Sequence, residues 1–436
     1  MPQIEAFKGT YYNPEIISDM ADVTAPPYDV ISGPGIDELH AKSPHNVIRL
    51  ILGKSAQEAG GTRPQSEFAK AATTFNKWLT DNILIDDSTS ALYDLEEEFE
   101  AVGKRYCRRG FIGRLKLEDK KNAVRPHEQT MQAPKADRLE LTRHCKANFS
   151  QIFTLYKDQE GVVEKALYQA RETAAMLTFT ADGITRRLWR ITDPKAISAA
   201  KTHLENREIF IADGHHRYET ALLYQAERNA AAAELNDNQP WNYVMSYFSS
   251  MSSPGLAILP THRMLANFPT PDADELKKKL AEFFTIEECL DADAKIPALL
   301  AKLESTPDNS SFIFLAENFK APLFLTLNQE AAAKILGKLP ASLAALDVSV
   351  LQQLVFNHIL KISTADMEHQ RYTRYTQDAA TAVDAVNNGS AQIAVLLKST
   401  KIEQVSKVAI DGEKMPQKST FFYPKLATGL LISRLD

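Results

Sequence analysis

Residues 208–221 read E-I-F-I-A-D-G-H-H-R-Y-E-T-A, and this stretch decides the predicted fold. The apolar run 209–212 is typical of a short buried strand. Tyr218, Ala221 and Leu222 then recur at three- and four-residue spacing, which predicts an amphipathic helix. The residues D-G-H-H-R at 213–217 therefore occupy a tight turn between a strand and a helix.

This turn is well placed to bind an anion. The first amides of a helix have no partners within the helix, and the helix dipole leaves partial positive charge there. Gly214 permits a positive φ and the close approach of a phosphate, while Arg217 offers a planar guanidinium. His215 and His216 add donors or proton-transfer groups near neutral pH. Asp213 could cap the helix or hold a divalent metal, so we predict a site for nucleotide phosphates.

A purely structural interpretation of the same turn stays open. Asp-Gly is a common sequence at turns and helix starts, and adjacent histidines also occur simply as polar residues of a first turn. Zinc is disfavoured, because neighbouring helical residues point about 100° apart and the i, i+4 histidine spacing is missing. The pattern favours Mg²⁺ on carboxylate and phosphate oxygens.

The segment 125–130, R-P-H-E-Q-T, and the nearby 135–138, K-A-D-R, are dense in ionisable groups. Glu128 beside His127 is a candidate general base. Arg138 could neutralise developing phosphoryl charge. Solvated loops have similar composition, so this signal is weak by itself.

Three further segments carry candidate substrate contacts. L-P-T-H-R at 259–263 supplies His262 and Arg263, and A-P-P-Y-D-V-I-S at 25–32 is a rigid turn that presents Asp29. M-P-Q-K-S-T-F-F-Y-P-K at 415–425 places two hydroxyl residues after a lysine, but it lacks the glycines of a P-loop. Loops that flank the core would look the same in all three places.

The composition is that of a globular protein without a general affinity for nucleic acid. The chain has 436 residues, 44% of them hydrophobic and 24% charged. A net charge of −6 gives no global positive field for nucleic acids or acidic membranes. Three widely spaced cysteines argue against a disulfide framework and favour the cytoplasm. We expect no secretory signal and no membrane span.

The organisation predicted from the sequence is α+β with two domains. Alternation between Ala91 and Leu117, with a turn near Gly103, predicts a β-hairpin. Near residue 270 the composition changes to proline, lysine and helix-rich sequence. We therefore predict one mixed domain over 1–270, which carries the D-G-H-H-R turn, and a second α+β domain over 271–436.

Seven stretches, in order along nearly the whole chain, resemble a large and mostly bacterial family known chiefly as a domain of unknown function. They are the segments quoted above at 25–32, 125–130, 259–263 and 415–425, with K-A-D-R-L at 135–139, I-F-T-L-Y at 152–156 and A-D-G-H-H-R-Y-E-T-A at 212–221. More distantly, the D-G-H-H-R turn resembles the phosphate-binding turn of the ParB/sulfiredoxin superfamily. It is especially similar to that of free serine kinases.

The resemblance implies a ParB/sulfiredoxin-like domain that binds a nucleotide. Gly214, His215, His216 and Arg217 would contact phosphate, and Asp213 would lie near Mg²⁺ or the reacting group. Sulfiredoxins have a cysteine where this chain has His215, so their chemistry is not implied. Partition-protein relatives bind DNA through a helix-turn-helix region, but this chain shows no basic recognition helix.

The function predicted from these observations is a phosphotransferase. ADP or ATP would be the donor, and a small hydroxyl compound such as serine the acceptor. Glu128 would be the base, with Asp213 and His216 beside the reacting groups. Asp29, His127, Arg138, His262 and Arg263 are the candidate substrate contacts. A nucleotide-binding regulatory module and a phosphatase or hydrolase are the alternatives, and the oligomeric state stays open.

Overall fold

The structure is a computed structural model that describes residues 2–31, 33–53, 64–118, 123–128, 132–234, 236–290, 295–306 and 309–436. Ser32, Gln129 and Thr130 of the predicted segments lie outside the described residues. The chain divides into two compact units. Unit 1 comprises Met1–Pro126, Thr130–Ala257 and Pro424–Asp436, and unit 2 comprises His127–Gln129 and Ile258–Tyr423.

Strands occur in both units, as predicted for an α+β protein. They are β1 (Ile4–Glu5), β2 (Thr10–Tyr12), β3 (Leu84–Asp86), β4 (Leu92–Ala101), β5 (Lys104–Lys116), β6 (Val124–Arg125), β7 (Ala147–Asn148), β8 (Ile152–Tyr156), β9 (Leu177–Ala181), β10 (Ile184–Ile191), β11 (Ile209–Asp213), β12 (Tyr243–Ser250), β13 (Ala257–Leu259), β14 (His262–Leu265), β15 (Phe284–Glu288), β16 (Ser311–Ala316), β17 (Leu323–Leu327), β18 (Thr373–Thr376), β19 (Ile393–Leu396), β20 (Phe421–Tyr423) and β21 (Ser433–Arg434).

Helices alternate with these strands along the chain. They are α1 (Met20–Val23), α2 (Gly33–Lys42), α3 (Ile48–Ile51), α4 (Gln65–Thr80), α5 (Gln132–Cys145), α6 (Val162–Gln169), α7 (Pro194–Glu205), α8 (His215–Ala231), α9 (Ala273–Ala281), α10 (Ile296–Glu304), α11 (Gln329–Leu336), α12 (Ala341–Ala344), α13 (Asp347–Val350), α14 (Thr364–Glu368), α15 (Ala379–Asn387) and α16 (Ile402–Ile410), with a π-helical segment at Leu351–Ile359.

Unit 1 is built on a large mixed sheet. The strand order is β6-β11-β8-β12-β5-β4-β10-β9, and β1 also pairs with β5. The pairs β6–β11 and β8–β12 are parallel. The predicted hairpin is confirmed as β4 and β5, which are joined through Val102 and Gly103, both at positive φ as in a type I′ turn. Helices α6, α7 and α8 pack their apolar stripes on one face of this sheet through Leu167, Ala200 and Ala221.

Unit 2 has its own antiparallel sheet, in the order β15-β17-β16-β19-β14-β18. The central strand β16 is buried on both faces: Phe312 and Phe314 enter one apolar cluster, while Ile313 and Leu315 enter another. Successive residues of a strand point to opposite faces, so its continuous apolar run fits a sheet with packed side chains on each side.

The division of the chain differs from the predicted domains 1–270 and 271–436 in two ways. Strand β14 precedes residue 270 but pairs with β18 and β19 of unit 2. The C-terminal segment 424–436 returns to unit 1, where β21 pairs with β7. Sheet pairing joins segments that are distant in sequence, and a change in composition does not report on such pairing.

Among the described residues we find no helix with the length and apolar character needed to cross a bilayer.

Candidate functional site

The structure places D-G-H-H-R between a strand and a helix, as predicted. Strand β11 ends at Asp213, and helix α8 begins at His215. Gly214 occupies the N-cap position at φ 91°, in the left-handed region that favours glycine. A register shift against β8 between Ile211 and Asp213 ends the regular pairing at this point. Helix α8 therefore starts directly at the end of the strand, and its N-cap residue is a glycine, which has no side chain to cap it.

Asp213 does not cap the helix, which was one of its two predicted roles. Its carboxylate instead accepts hydrogen bonds from two cations: Arg217 Nη2 donates to Oδ2 at 2.7 Å, and Lys425 Nζ donates to Oδ1. Burial alone would raise the pKa of the Asp213 carboxyl, but Lys425 and Arg217 outweigh burial and hold that pKa well below its usual range. Asp213 is therefore ionised at neutral pH.

Arg217 is fixed by acceptors on two segments of unit 1. Besides Asp213, its guanidinium donates through Nη1 to the Gln151 carbonyl and to Ser150 Oγ, the latter at 3.2 Å. A Cβ atom added at Gly214 would lie 2.9–3.0 Å from this guanidinium. The planar cation thus lies directly against the glycine at the start of α8, which is where an anion at the helix N-terminus would sit.

The two histidines of the turn have different exposure. His215 is buried, with 4% of its surface exposed, and its charged form would further lower the pKa of Asp213. His216 is only half-buried. Of the pair, His216 is therefore the one whose side chain a bound molecule can reach more readily.

A small cavity that is partly open to solvent lies beside Arg217 in unit 1. It brings together three segments that the sequence singled out, because Tyr28, Arg138 and Arg217 all line it. The other lining residues are Ile51, Leu141, Thr142, Ala147, Asn148, Phe149, Ser150, Thr220, Ala221, Val244 and Thr428. Among the described residues, the Thr220 hydroxyl has no hydrogen-bond partner, although this side chain is buried.

Arg138 and Tyr28 form one wall of the cavity. The Arg138 guanidinium lies 4.2 Å from the centre of the Tyr28 ring, and its Nη2 donates to the Ile51 carbonyl at 2.9 Å. Burial raises the pKa of Tyr28 to about 12, so its hydroxyl stays protonated at neutral pH. The charges that also act on Tyr28 belong to Arg138, Asp29, Arg217 and Asp213. The exposed Asp29 is thus part of the same neighbourhood.

The C-terminal segment positions this wall. Ala25 and Thr428 exchange backbone hydrogen bonds of 3.2 and 2.8 Å, which holds the proline turn before Tyr28. The same segment supplies Lys425 to Asp213. Sequence reasoning did not single out Lys425, Ser150 or Thr220, and of the 25–32 turn it named Asp29 but not Tyr28 as a substrate contact. Lys425 and Tyr28 stand inside segments that were quoted, and only the fold shows which of those residues reach the turn.

The remaining candidates form a second group inside unit 2. Glu128 Oε1 accepts a hydrogen bond from the Lys418 N–H at 3.1 Å. Arg263 donates to the carbonyls of Thr261 and Lys418. His127 is fully buried, with Nε2 at 3.3 Å from Thr420 Oγ1.

His262 is also buried in this unit, and its Nδ1 accepts the Leu397 N–H at 3.3 Å, which joins β14 to β19. Burial and the neighbouring Arg263 lower the pKa of His262 to about 4. The imidazole is therefore neutral at physiological pH.

Asp213 is not within a ready-made metal cluster. In the part of the chain that the structure describes, the His, Cys, Asp and Glu side chains close enough together to share an ion are Glu96, Glu98 and Cys107. Glu96 already accepts hydrogen bonds from three arginines, at positions 109, 171 and 187. Magnesium at the turn would therefore depend on phosphate oxygens together with Asp213.

A family model described as a protein of unknown function (DUF1015) matches residues 4–349. The chain belongs to the DUF1015 family. This confirms, at the level of the family, the resemblance drawn from the sequence segments. A search of curated proteins gives no match for this DUF1015 chain.

Solved structures similar to this DUF1015 chain include a free serine kinase in complex with AMP, at 14% identity and a TM-score of 0.34, covering 70% of this chain and 85% of that one. A conserved hypothetical protein from Pyrococcus furiosus has 14% identity and a TM-score of 0.33, covering 71% and 94%. C-terminally truncated SbnI from Staphylococcus aureus has 9% identity and a TM-score of 0.33, covering 73% and 85%. Likeness at these scores carries no argument about the chemistry of the DUF1015 chain.

Proposed function

We propose that this protein transfers a phosphoryl group from ADP or ATP to a small-molecule hydroxyl such as that of serine. The observation that carries the proposal is that the Arg217 guanidinium lies against Gly214, the left-handed N-cap glycine at the start of α8. Phosphoryl transfer depends mainly on positioning and on charge stabilisation, and helix amides with a fixed arginine supply both. We assign the turn to the phosphates of the donor.

The charge balance of the turn supports this assignment. The Asp213 carboxylate faces two cations, Arg217 and Lys425, so the cluster carries a formal charge of −1 + 2 = +1. The helix dipole adds partial positive charge at the same place. A phosphate would neutralise this excess; Asp213 would be the residue that holds Mg²⁺, which would supply further positive charge for the phosphates. His216 is our candidate for a further contact with the transferred group.

Glu128 remains our candidate for the general base. Its support is the connectivity of the chain: β6 pairs in parallel with β11, with Arg125 opposite Phe210. Glu128 follows Arg125 by three residues, as Asp213 follows Phe210. Parallel strands leave a sheet at the same edge, so within unit 1 the chain leaves β6 at the edge at which the D-G-H-H-R turn starts.

We further propose that the cavity beside Arg217 binds the acceptor. Its polar lining offers the Tyr28 hydroxyl, the unpartnered Thr220 hydroxyl and the Arg138 guanidinium. The rest of the lining is largely apolar, and a few polar groups in such a lining fix the orientation of a bound small molecule. Asp29, exposed next to Tyr28, is the candidate contact for a positively charged group on that molecule.

The test follows phosphorylated products by mass spectrometry. Purified protein is incubated with Mg²⁺, ADP or ATP and a pool of hydroxyl metabolites led by L-serine, beside Arg217→Ala. Arg143→Ala is the matched control, because this exposed arginine forms ion pairs with Glu140 and Glu227 on the surface. We expect a phosphometabolite that Arg217→Ala fails to make and Arg143→Ala still makes.

The other outcomes count against the proposal. Nucleotide binding without any phosphorylated product would favour a regulatory module. Release of inorganic phosphate without an acceptor would favour a phosphatase or hydrolase. Absence of nucleotide binding would indicate that the turn has a purely structural role.

A further inference from the structure

Lys418 connects two of the candidate residues through its backbone. Its N–H donates to Glu128 Oε1 at 3.1 Å, and its carbonyl accepts a hydrogen bond from Arg263 Nη2 at 3.0 Å. Lys418 adopts φ 56°, in the left-handed region that non-glycine residues rarely occupy. Such strain persists only where surrounding contacts impose it, and it is concentrated at functional sites.

The contacts that impose this conformation surround residues 415–420, which we call the 415–420 turn. The Met415 N–H donates to the His127 carbonyl at 2.8 Å, directly before Glu128. Thr400 Oγ1 donates to the Ser419 carbonyl at 2.8 Å, and Ser419 Oγ donates to the Pro416 carbonyl at 2.5 Å. These hydrogen bonds therefore hold the turn on both sides of Lys418, whose N–H donates to Glu128.

Arg263 is a buried cation whose hydrogen-bond partners are neutral. It is 4% exposed, and its guanidinium donates to two carbonyls and lies over the Tyr375 ring at 5.5 Å. Among the described residues, no carboxylate lies within ion-pair distance of it, whereas the fully buried Arg108 is paired with Glu97. Burial lowers the pKa of Arg263 to about 10, and the nearby Tyr375 and Glu128 oppose that shift. Burying such a cation is costly, so packing alone is a poor reason to place an arginine here.

We infer that Arg263 is a positioning residue for Glu128 and acts through the backbone of Lys418. By holding the Lys418 carbonyl, Arg263 fixes the left-handed conformation that aims the Lys418 N–H at the carboxylate. The inference rests on the proposed function, because it takes Glu128 to be the base. It assigns Arg263 a role other than direct contact with substrate.

The first test compares steady-state kinetics with nucleotide binding. Arg263→Met should lower kcat by about 10–100-fold, because a displaced base reacts poorly, while nucleotide affinity stays unchanged. Arg263→Lys should recover part of the loss, since an ammonium can still reach one carbonyl. Arg374→Met is the matched control: Arg374 in β18 also donates to two backbone carbonyls, those of Gln370 and Thr373, and it should retain normal kinetics.

The second test needs no activity and measures amide hydrogen exchange in the 415–420 turn. Arg263→Met should speed exchange there, and Arg374→Met should not. Lys418→Pro, which removes the N–H and cannot adopt φ 56°, should have the same effect as Arg263→Met, whereas Lys418→Gly should keep slow exchange.

The two tests separate the two claims. Unchanged exchange and unchanged kcat in Arg263→Met would overturn the positioning role. Faster exchange in Arg263→Met, together with a wild-type protein that makes no phosphorylated product, would keep the positioning of Glu128 and overturn the proposed function instead.

Discussion

Asp213 lies in a buried cluster with two cations, and its side chain is 15% exposed. Asp213→Asn would leave Arg217 and Lys425 without a carboxylate. Breaking a buried ion pair by removing one partner costs about 3–5 kcal/mol, so we expect a loss of that order in the free energy of unfolding at pH 7. Urea denaturation measures it. Asp237→Asn is the control, since the exposed Asp237 pairs with Lys116 at the surface and should change stability by less than about 0.5 kcal/mol.

The difference in stability between the wild type and Asp213→Asn should depend on pH. The folded pKa of Asp213 lies below the unfolded value of about 3.9, so its stabilisation is complete above about pH 5 and is lost as pH falls through and below that unfolded value. The difference between wild type and Asp213→Asn should therefore shrink between pH 5 and pH 2. A difference that stays constant over this range would contradict the assigned charge state.

Thr220 provides a separate test of the cavity. A buried hydroxyl without a partner stabilises nothing, so Thr220→Val should leave the free energy of unfolding unchanged within about 1 kcal/mol or raise it. If the hydroxyl binds the acceptor, the same variant should raise KM for the acceptor. Thermal unfolding and steady-state kinetics measure the two effects. An unchanged KM would contradict the proposal that the acceptor binds in this cavity.

At the scale of single residues, the sequence predicted the residues of the turn but not their contacts. Asp213, Gly214 and Arg217 lie within five consecutive residues, so local spacing was enough to group them. Lys425 reaches Asp213 from 212 residues further along the chain. Such a contact follows from the fold, and no local pattern indicates it.

The start of helix α8 is the element on which the site depends. Gly214→Ala would place a side chain in the left-handed region and bring its Cβ to 2.9–3.0 Å from the Arg217 guanidinium. We expect a loss of about 1–3 kcal/mol in the free energy of unfolding together with weaker nucleotide binding. Denaturation and calorimetric titration measure the two effects.

Gly183→Ala is the matched control for this element. Gly183 has φ 73°, but a Cβ there would meet no atom within 4 Å. Gly183→Ala should lower the free energy of unfolding only by the cost of placing a side chain in the left-handed region, and its nucleotide affinity should be normal. Equal nucleotide affinity in the two variants would mean that Arg217 and the helix start do not bind phosphate.

Elements with a strong local signal were predictable from the sequence. Alternation predicted the β4–β5 hairpin, and the change from an apolar run to helical spacing predicted the β11–α8 turn. The strand β14 was assigned to the first domain, because a four-residue strand carries no sign of the sheet that it joins. Its partners, β18 and β19, lie more than one hundred residues later in the sequence.

For the whole molecule, the C-terminal segment is the feature whose place in the chain's division differs most from the predicted domains. Residues 424–436 contribute Lys425, the backbone pairing of Thr428 with Ala25, and buried apolar side chains at 430–432 and 435 to unit 1. A chain that ends at Tyr423 should therefore fail to form a stable unit 1. The checks are soluble yield and circular dichroism, with removal of Asp436 alone as the control. A truncated chain that unfolds like the full-length protein would contradict the division into units.

The central claim is that the D-G-H-H-R turn binds nucleotide phosphate, and calorimetric titration tests it most directly. The wild-type protein and Arg217→Ala are titrated with Mg²⁺-ADP and Mg²⁺-ATP, beside Arg143→Ala. The account predicts binding by the wild type and the control, and at least a tenfold weaker Kd in Arg217→Ala, which corresponds to about 1.4 kcal/mol. Equal affinity in all three proteins, or no binding by any, would contradict it.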